Sequence, residues 1–210
     1  DFVGVKCQFE LLDHYLAPCL PIALWNDDGF VAACETDMNA ALTMFALRHL
    51  SGQPVMFSDI QYLNRAEGWA RFLNCGTAAT RLAGGKANIQ LKNCPEVQWT
   101  YDPATGKHLC KGGACPHFIL PPGPVTLARF GRIRGTYVLH LCRGESFAYP
   151  HDPSGFVGIA GVWPFAYVKI QQDMDRFTRN LRAHHMCISP GDWVAEMESL
   201  ARLWHVDVLD

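Results

Sequence analysis

The chain has 210 residues, 49% of them hydrophobic, a formal net charge of −2 and only 18% charged side chains. That length buries a sizeable core in one or two units, and the near-neutral balance supplies no basic field for nucleic acid or an acidic membrane leaflet. Charge below the average of about 25% for soluble domains leaves surface suited to protein contact.

The first residue is Asp1 rather than Met, and Phe2 to Cys7 reads at once as a buried strand, so the chain is expected to be the C-terminal part of a longer polypeptide. Phe9 to Leu24 has a helical pattern broken at Pro18 and Pro21, and Asn26-Asp27-Asp28-Gly29 is a turn. Thr36 can cap a helix with apolar positions Ala40, Leu42, Phe45, Ala46 and Leu50, closed by Ser51-Gly52. A strand follows from Pro54 to Asp59. Glu35 at a helix start and Asp59 at a strand end can both reach the crevice where open α/β sheets bind ligands.

From Asn74 the texture changes. Short β-rich runs over 87–91, 97–101, 125–129, 136–142 and 165–170 are separated by Gly and Pro, which suggests an antiparallel barrel or sandwich. Helices return over 173–182 and 193–203. No apolar run approaches the roughly 18 residues of a membrane span. The nine cysteines form an odd set among apolar neighbours, which fits reduced thiols and a cytoplasmic protein.

Three groupings carry chemical interest. Glu35, Asp37 and Asp59 are acids in apolar surroundings, which need a partner or a metal, although an acid at a helix start also simply complements the dipole. The pair His184-His185 precedes a strand-like run, where a neutral imidazole can bind a cation or serve a purely structural role. His108, Cys110, Cys115 and His117 are zinc-friendly side chains without a second cysteine pair at finger spacing, so a glycine-turned hairpin competes with a structural zinc site or a zinc hydrolase. No phosphate loop, nucleophile elbow or dinucleotide fingerprint occurs.

Several separated motifs together resemble the metal-binding core of L-fucose isomerase-like proteins, of the L-fucose/L-arabinose isomerase superfamily. They are Val5-Lys6-Cys7-Gln8, the run from Ala33 through Glu35 and Asp37 to Met44, the Ser51-Gly52 break, Phe57-Ser58-Asp59, Pro121 to Arg129, and His184-His185 followed by Gly191-Asp192. One departure stands out: Asn74-Cys75-Gly76 replaces the His-Cys-Gly expected in many relatives.

The resemblance implies a partial Rossmann-like α/β unit over 1–76 that carries the metal carboxylates. An antiparallel β-barrel domain over 77–210, with C-terminal helices, would carry the histidine ligand. It implies a metal-dependent aldose–ketose isomerase acting on a free sugar by an ene-diol mechanism. Glu35, Asp59 and His185 would hold a divalent ion, Mn²⁺ first, and the two carboxylates would double as acid and base. Gln8, Trp163 and His184 are candidate sugar contacts. The implied partners are the sugar, N-terminal domains of the same protein and further copies in a homo-oligomer. The alternative is a non-catalytic carbohydrate-binding or assembly domain of an isomerase homologue.

Overall fold

The computed structural model describes residues 1–11, 16–94, 101–108, 113–149 and 162–209, without the side chains of residues 8, 9, 101, 107 and 108. Strand β1 (Phe2–Gly4) pairs in parallel with β2 (Val31–Ala33). Between them, a five-residue helical turn at Cys7–Leu11 and a helix α1 at Cys19–Asp27 are found; of the two breaks read there, the one at Pro18 holds and the one at Pro21 does not. Their positions explain the difference: Pro18 takes the N-cap position and Pro21 falls in the first turn, where a missing N–H costs nothing.

Helix α2 (Met38–Ser51) is capped by Asp37, whose side chain accepts from the Ala40 N–H, rather than by Thr36. Arg48 and His49 sit in its last turn, where cations complement the dipole, and Gly52 ends it in the left-handed region at φ 64°. Ala40, Ala41, Met44 and Leu47 form its buried stripe.

The remaining strands are β3 (Met56–Asn64), β4 (Trp69–Leu73), β5 (Gln90–Asn93), β6 (Tyr101–Asp102), β7 (Lys107–His108), β8 (Ala114–His117), β9 (Gly123–Ile133), β10 (Thr136–Ser146), β11 (Phe165–Ile170), β12 (His185–Pro190) and β13 (Asp207–Leu209). Helices α3 (Met174–Asn180) and α4 (Val194–Leu203) flank β12 in the chain. The β5–β8 and β6–β7 pairs are small separate ribbons. Strands β9 and β10 are joined by Arg134-Gly135 alone, both at positive φ, the two-residue turn whose twist matches a hairpin.

The large sheet runs β11-β4-β3-β12-β9-β10-β13. Strand β10 also pairs antiparallel with β11, so the first six strands close into a circuit in which every pair is antiparallel. Strand β13 joins β10 in parallel outside it, which makes the sheet mixed. The circuit takes β3 and β4 from before residue 77, so the sheet is continuous across the boundary expected there. Pairing partners this far apart in the chain leave no local signal of their own.

Alternation along the strands divides the core in two. Met56, Phe72, Leu127, Cys142, Val168, Met186 and Ile188 draw on all six circuit strands and meet Phe177 of α3 inside. Phe57, Leu73, Phe130 and Cys187 face the other way, among Met44 and Leu47 of α2 and Met197 and Ala201 of α4. No helix among the described residues is long and apolar enough to cross a membrane.

Closure depends on close approach at Gly144, which pairs with Ile170 of β11. A Cβ there would lie 2.6 Å from Val168 Cγ1, 2.7 Å from Leu127 Cδ1 and 3.0 Å from the Lys169 carbonyl oxygen. Gly144→Ala is therefore expected to cost about 1–3 kcal/mol by overpacking. Urea denaturation measures the loss, and an unchanged midpoint would show that the seam is loosely packed.

Candidate metal centre

Asp59 and His185 are brought together by strand register. In the antiparallel β3–β12 pair His185 stands opposite Asp59 and Cys187 opposite Phe57, and the period of two turns all four side chains to the helix-covered face. On the other side of β3, a bulge between Ile60 and Tyr62 shifts the β3–β4 register by one residue before pairing resumes to Asn64 and Trp69. Such bulges re-aim side chains beside them. The His185 ring rests on Phe57, with centroids 4.3 Å apart.

Glu35 arrives from the opposite side. It lies not in α2 but in the tight turn Cys34–Thr36, with Glu35 at φ 58° and Thr36 at φ 55°. Two consecutive non-glycine residues in the left-handed region cost free energy that the surroundings must offset. The turn aims the Glu35 carboxylate at β12, and its Oε2 lies 3.6 Å from His185 Nε2. Asp59 Oδ1 lies 3.3 Å from the same nitrogen.

Asp37 fixes the other side of the imidazole. Its Oδ2 lies 2.7 Å from His185 Nδ1, its Oδ1 accepts from the Ala40 N–H at 2.9 Å, and Arg129 Nη2 donates to it at 2.9 Å. Side-chain exposure is 4% for His185, 5% for Arg129 and 14% for Asp37, so the triad is shielded from solvent screening. With Nδ1–H committed to Asp37, the Nε2 lone pair of the neutral imidazole points towards Glu35 and Asp59, the arrangement by which a carboxylate orients a metal-binding histidine.

The electrostatics follow from this crowding. Burial alone would depress His185, but the Asp37 hydrogen bond, then Asp59 and Glu35, hold the cation-free imidazole up to about 9. Burial would raise Asp37, yet the bonds from His185 and Arg129 keep its carboxyl well below the usual carboxylate range. Glu35 is pushed up, by burial first, with Asp59 adding repulsion and His185 partly opposing both.

His185 Nε2 is buried without a hydrogen-bond partner, although two carboxylate oxygens lie within 3.6 Å. Donor atoms about 2.1 Å from one ion at right angles are about 3 Å apart; the two distances to His185 Nε2 come near this, and the ligand atoms of Glu35, His184 and His185 lie within 4.8 Å of one another. Two oxygens and one imidazole nitrogen suit a harder divalent ion such as Mn²⁺.

The other expected site residues fare differently. His184 tilts against His185 at 3.9 Å and lies 3.5 Å from Asp59 Oδ1, with its own side chain 68% exposed at the mouth of the group. Trp163 is a packed core side chain, 7% exposed, whose indole N–H finds no partner among the described residues. The Gln8 side chain lies outside the described residues. So do Cys110 and the His108 side chain. Of that cluster, the Cys115 thiol donates to the Lys92 carbonyl oxygen at 3.6 Å, and His117 Nδ1 lies 3.1 Å from the Trp163 carbonyl oxygen. Asp37 and Arg129 were legible only as one acid of a group and the end of a strand; no local pattern marks their pairing.

Residues 72–210 match the family described as L-fucose isomerase, C-terminal domain. The chain is 26% identical over 210 residues to a sulfoquinovose isomerase of Alkalicoccus urumqiensis, covering 99% of this chain and 44% of that protein. It is 34% identical over 87 residues to one of Clostridium sp. (strain MSTE9), covering 41% of this chain and 20% of the relative. A third, of Priestia aryabhattai, is 32% identical over 148 residues, covering 70% and 30%. The chain thus spans less than half the length of these curated relatives.

Because His185 in the cation-free protein titrates near 9 instead of 6.5, its stabilising contribution is complete below pH 6.5 and is lost as pH rises through about 9. Asp37→Asn keeps a capping oxygen but removes the charge. It is expected to flatten that dependence and to cost about 3–5 kcal/mol by leaving Arg129 uncompensated. Urea denaturation of the cation-free protein across that pH window tests both, and an identical pH profile in the variant would refute the assignment.

Proposed function

The chain belongs to the L-fucose isomerase family, and on that premise we propose that it carries the catalytic centre of a metal-dependent aldose–ketose isomerase. The observation that carries this reading is the convergence of Glu35 and Asp59 on the unpartnered Nε2 of His185. A carbohydrate-binding domain without catalysis gives no reason to bury an imidazole between three carboxylates.

Glu35, Asp59 and His185 would hold the divalent ion, which when bound polarises adjacent sugar oxygens and so acidifies the carbon between them. Interconversion of aldose and ketose then requires one proton to leave C2 and one to reach C1, with matching transfer between the oxygens, through an ene-diol. Glu35, whose burial raises its proton affinity, is suited to take and return the carbon-bound proton. Asp59 is placed to serve the oxygens from the neighbouring strand. Asp37 and Arg129 hold the imidazole in the tautomer that faces the carboxylates. His184, tilted against His185 and largely exposed, would meet a sugar hydroxyl.

Sulfoquinovose, the sugar in the relatives' names, is the first substrate to assay on the complete protein, with L-fucose and L-arabinose alongside. Chelation is expected to abolish isomerisation and Mn²⁺ to restore it. Glu35→Gln is expected to lower turnover about 100- to 10,000-fold, the usual weight of a positioned acid–base group, and to weaken Mn²⁺ binding. Unaltered turnover and metal affinity in that variant would remove the proposal. Binding of Mn²⁺ must displace the Nε2 proton of His185. Calorimetry in buffers of differing ionisation heat should therefore find proton release below pH about 9 and affinity rising with pH up to that value.

A further inference from the structure

Six of the described cysteines gather into two groups in space. Cys7 Sγ lies 2.9 Å from Cys34 Sγ, and Cys34 Sγ lies 3.1 Å from Cys75 Sγ. Three separate elements supply them: the turn after β1, the turn that carries Glu35, and the loop that follows β4. All three are buried, at 6%, 1% and 9% exposure, and no disulfide links the described cysteines. The thiol and carboxylate ligand atoms of Cys34, Glu35 and Cys75 lie within 4.8 Å of one another. In addition, the Glu35 backbone N–H donates to Cys7 Sγ at 3.4 Å, an amide aimed at sulfur of the kind that supports a charged thiolate.

We propose that Cys7, Cys34 and Cys75, with the Glu35 carboxylate as fourth ligand, form a second cation site, selective for a thiophilic divalent ion of the Zn²⁺ class. Three sulfurs and one oxygen make a closed four-ligand set, the coordination that zinc adopts at structural positions. Zinc–sulfur bonds of about 2.3 Å place sulfurs about 3.8 Å apart on a tetrahedron. The Cys7–Cys34 and Cys34–Cys75 pairs each need to spread by less than about 1 Å. Binding releases the three thiol protons to solvent and leaves the metal–ligand group with a net negative charge. The donor types separate the two sites: oxygen and imidazole nitrogen for the harder ion, sulfur for the softer one. The Glu35 carboxylate is shared, since it lies within 4.8 Å of the Cys34 and Cys75 sulfurs and 3.6 Å from His185 Nε2.

A second thiol group lies nearby and serves as the internal control. Cys19 Sγ is 3.5 Å from Cys94 Sγ, and Cys115 bonds to Cys94. No carboxylate joins that group among the described residues. Gly76, at φ 93°, sits against it, where a Cβ would lie 2.5 Å from Cys115 Cβ and 3.2 Å from Cys19 Cβ.

The experiment uses the complete, reduced, cation-free protein and Co²⁺ as the spectroscopic stand-in for zinc. Titration is expected to produce an intense near-ultraviolet sulfur-to-cobalt charge-transfer band, which an oxygen and nitrogen site does not give. X-ray absorption of the zinc-loaded protein should show sulfur neighbours. Cys34→Ser and Cys75→Ser should each abolish the band, and Cys94→Ser should leave it. A folded unaltered protein that takes up cobalt without the band overturns the proposal, and that result needs no variant. So does a band that survives both Cys34→Ser and Cys75→Ser and disappears in Cys94→Ser. Neither readout involves sugar or turnover, so failure here is distinguishable from failure of the isomerase reading.

Discussion

The centre depends on one buried carboxylate. Asp37 terminates α2, neutralises the buried Arg129 and orients the His185 imidazole, so a helix, strand β9 and strand β12 are tied at a single point. Each tie compensates the others. An aspartate desolvated to this degree would be costly alone, as would the guanidinium, and the pair is tolerable because a backbone N–H and an imidazole complete the hydrogen bonding. What is gained is direction: the ring cannot swing while Nδ1 is held, and its second nitrogen stays aimed at Glu35 and Asp59.

That direction would be useless without the strained turn facing it. Cys34 to Thr36 leaves β2 and enters α2 by way of two left-handed residues, neither of them glycine. Neighbouring contacts hold the strain: Thr36 N–H bonds to the Val5 carbonyl, Asp37 N–H to the Cys34 carbonyl, and Glu35 N–H to Cys7 sulfur. A regular helical start would carry the Glu35 side chain round with the spiral. The kink frees it from that geometry and lets adjacent residues serve opposite walls of the same loop.

Much of this was legible from residue patterns, and the rest was hidden for physical reasons. Helices α2, α3 and α4 and strand β11 announce themselves through spacing and flanking turn residues. The break read at Pro18 is where α1 begins, but the one read at Pro21 is not a break, because a proline in the first turn of a helix is well placed. Thr36 and Asp37 are both good caps, and choosing between them required the backbone of Glu35, a residue type that rarely marks a left-handed turn. Glu35, Asp59 and His185 were readable as residues with metal-binding chemistry. Their mutual placement was not, because register between β3 and β12 is set by pairing across most of the chain. The circuit was only half visible for the same reason: its later strands read as a barrel after residue 77, β3 read as part of the α/β unit, and β4 had no reading at all. Asn74 belongs in this account too. In place of the expected histidine it donates to the Phe57 carbonyl and accepts from the Thr77 and Ala78 N–H groups, so here the position clamps the backbone of β3 two residues before Asp59.

The pairing of β3 with β12 also determines when the centre can exist. Ser58 Oγ bonds to the Met186 carbonyl across a separation of 128 residues, and contacts of such long range repay their loop-closure entropy late. During synthesis both carboxylates emerge well before the imidazole, so on the proposed ligand set a nascent or partly folded chain would lack the group that completes it. Metal capture would then report finished folding, and an ion that binds only the completed set would draw the population towards it by mass action.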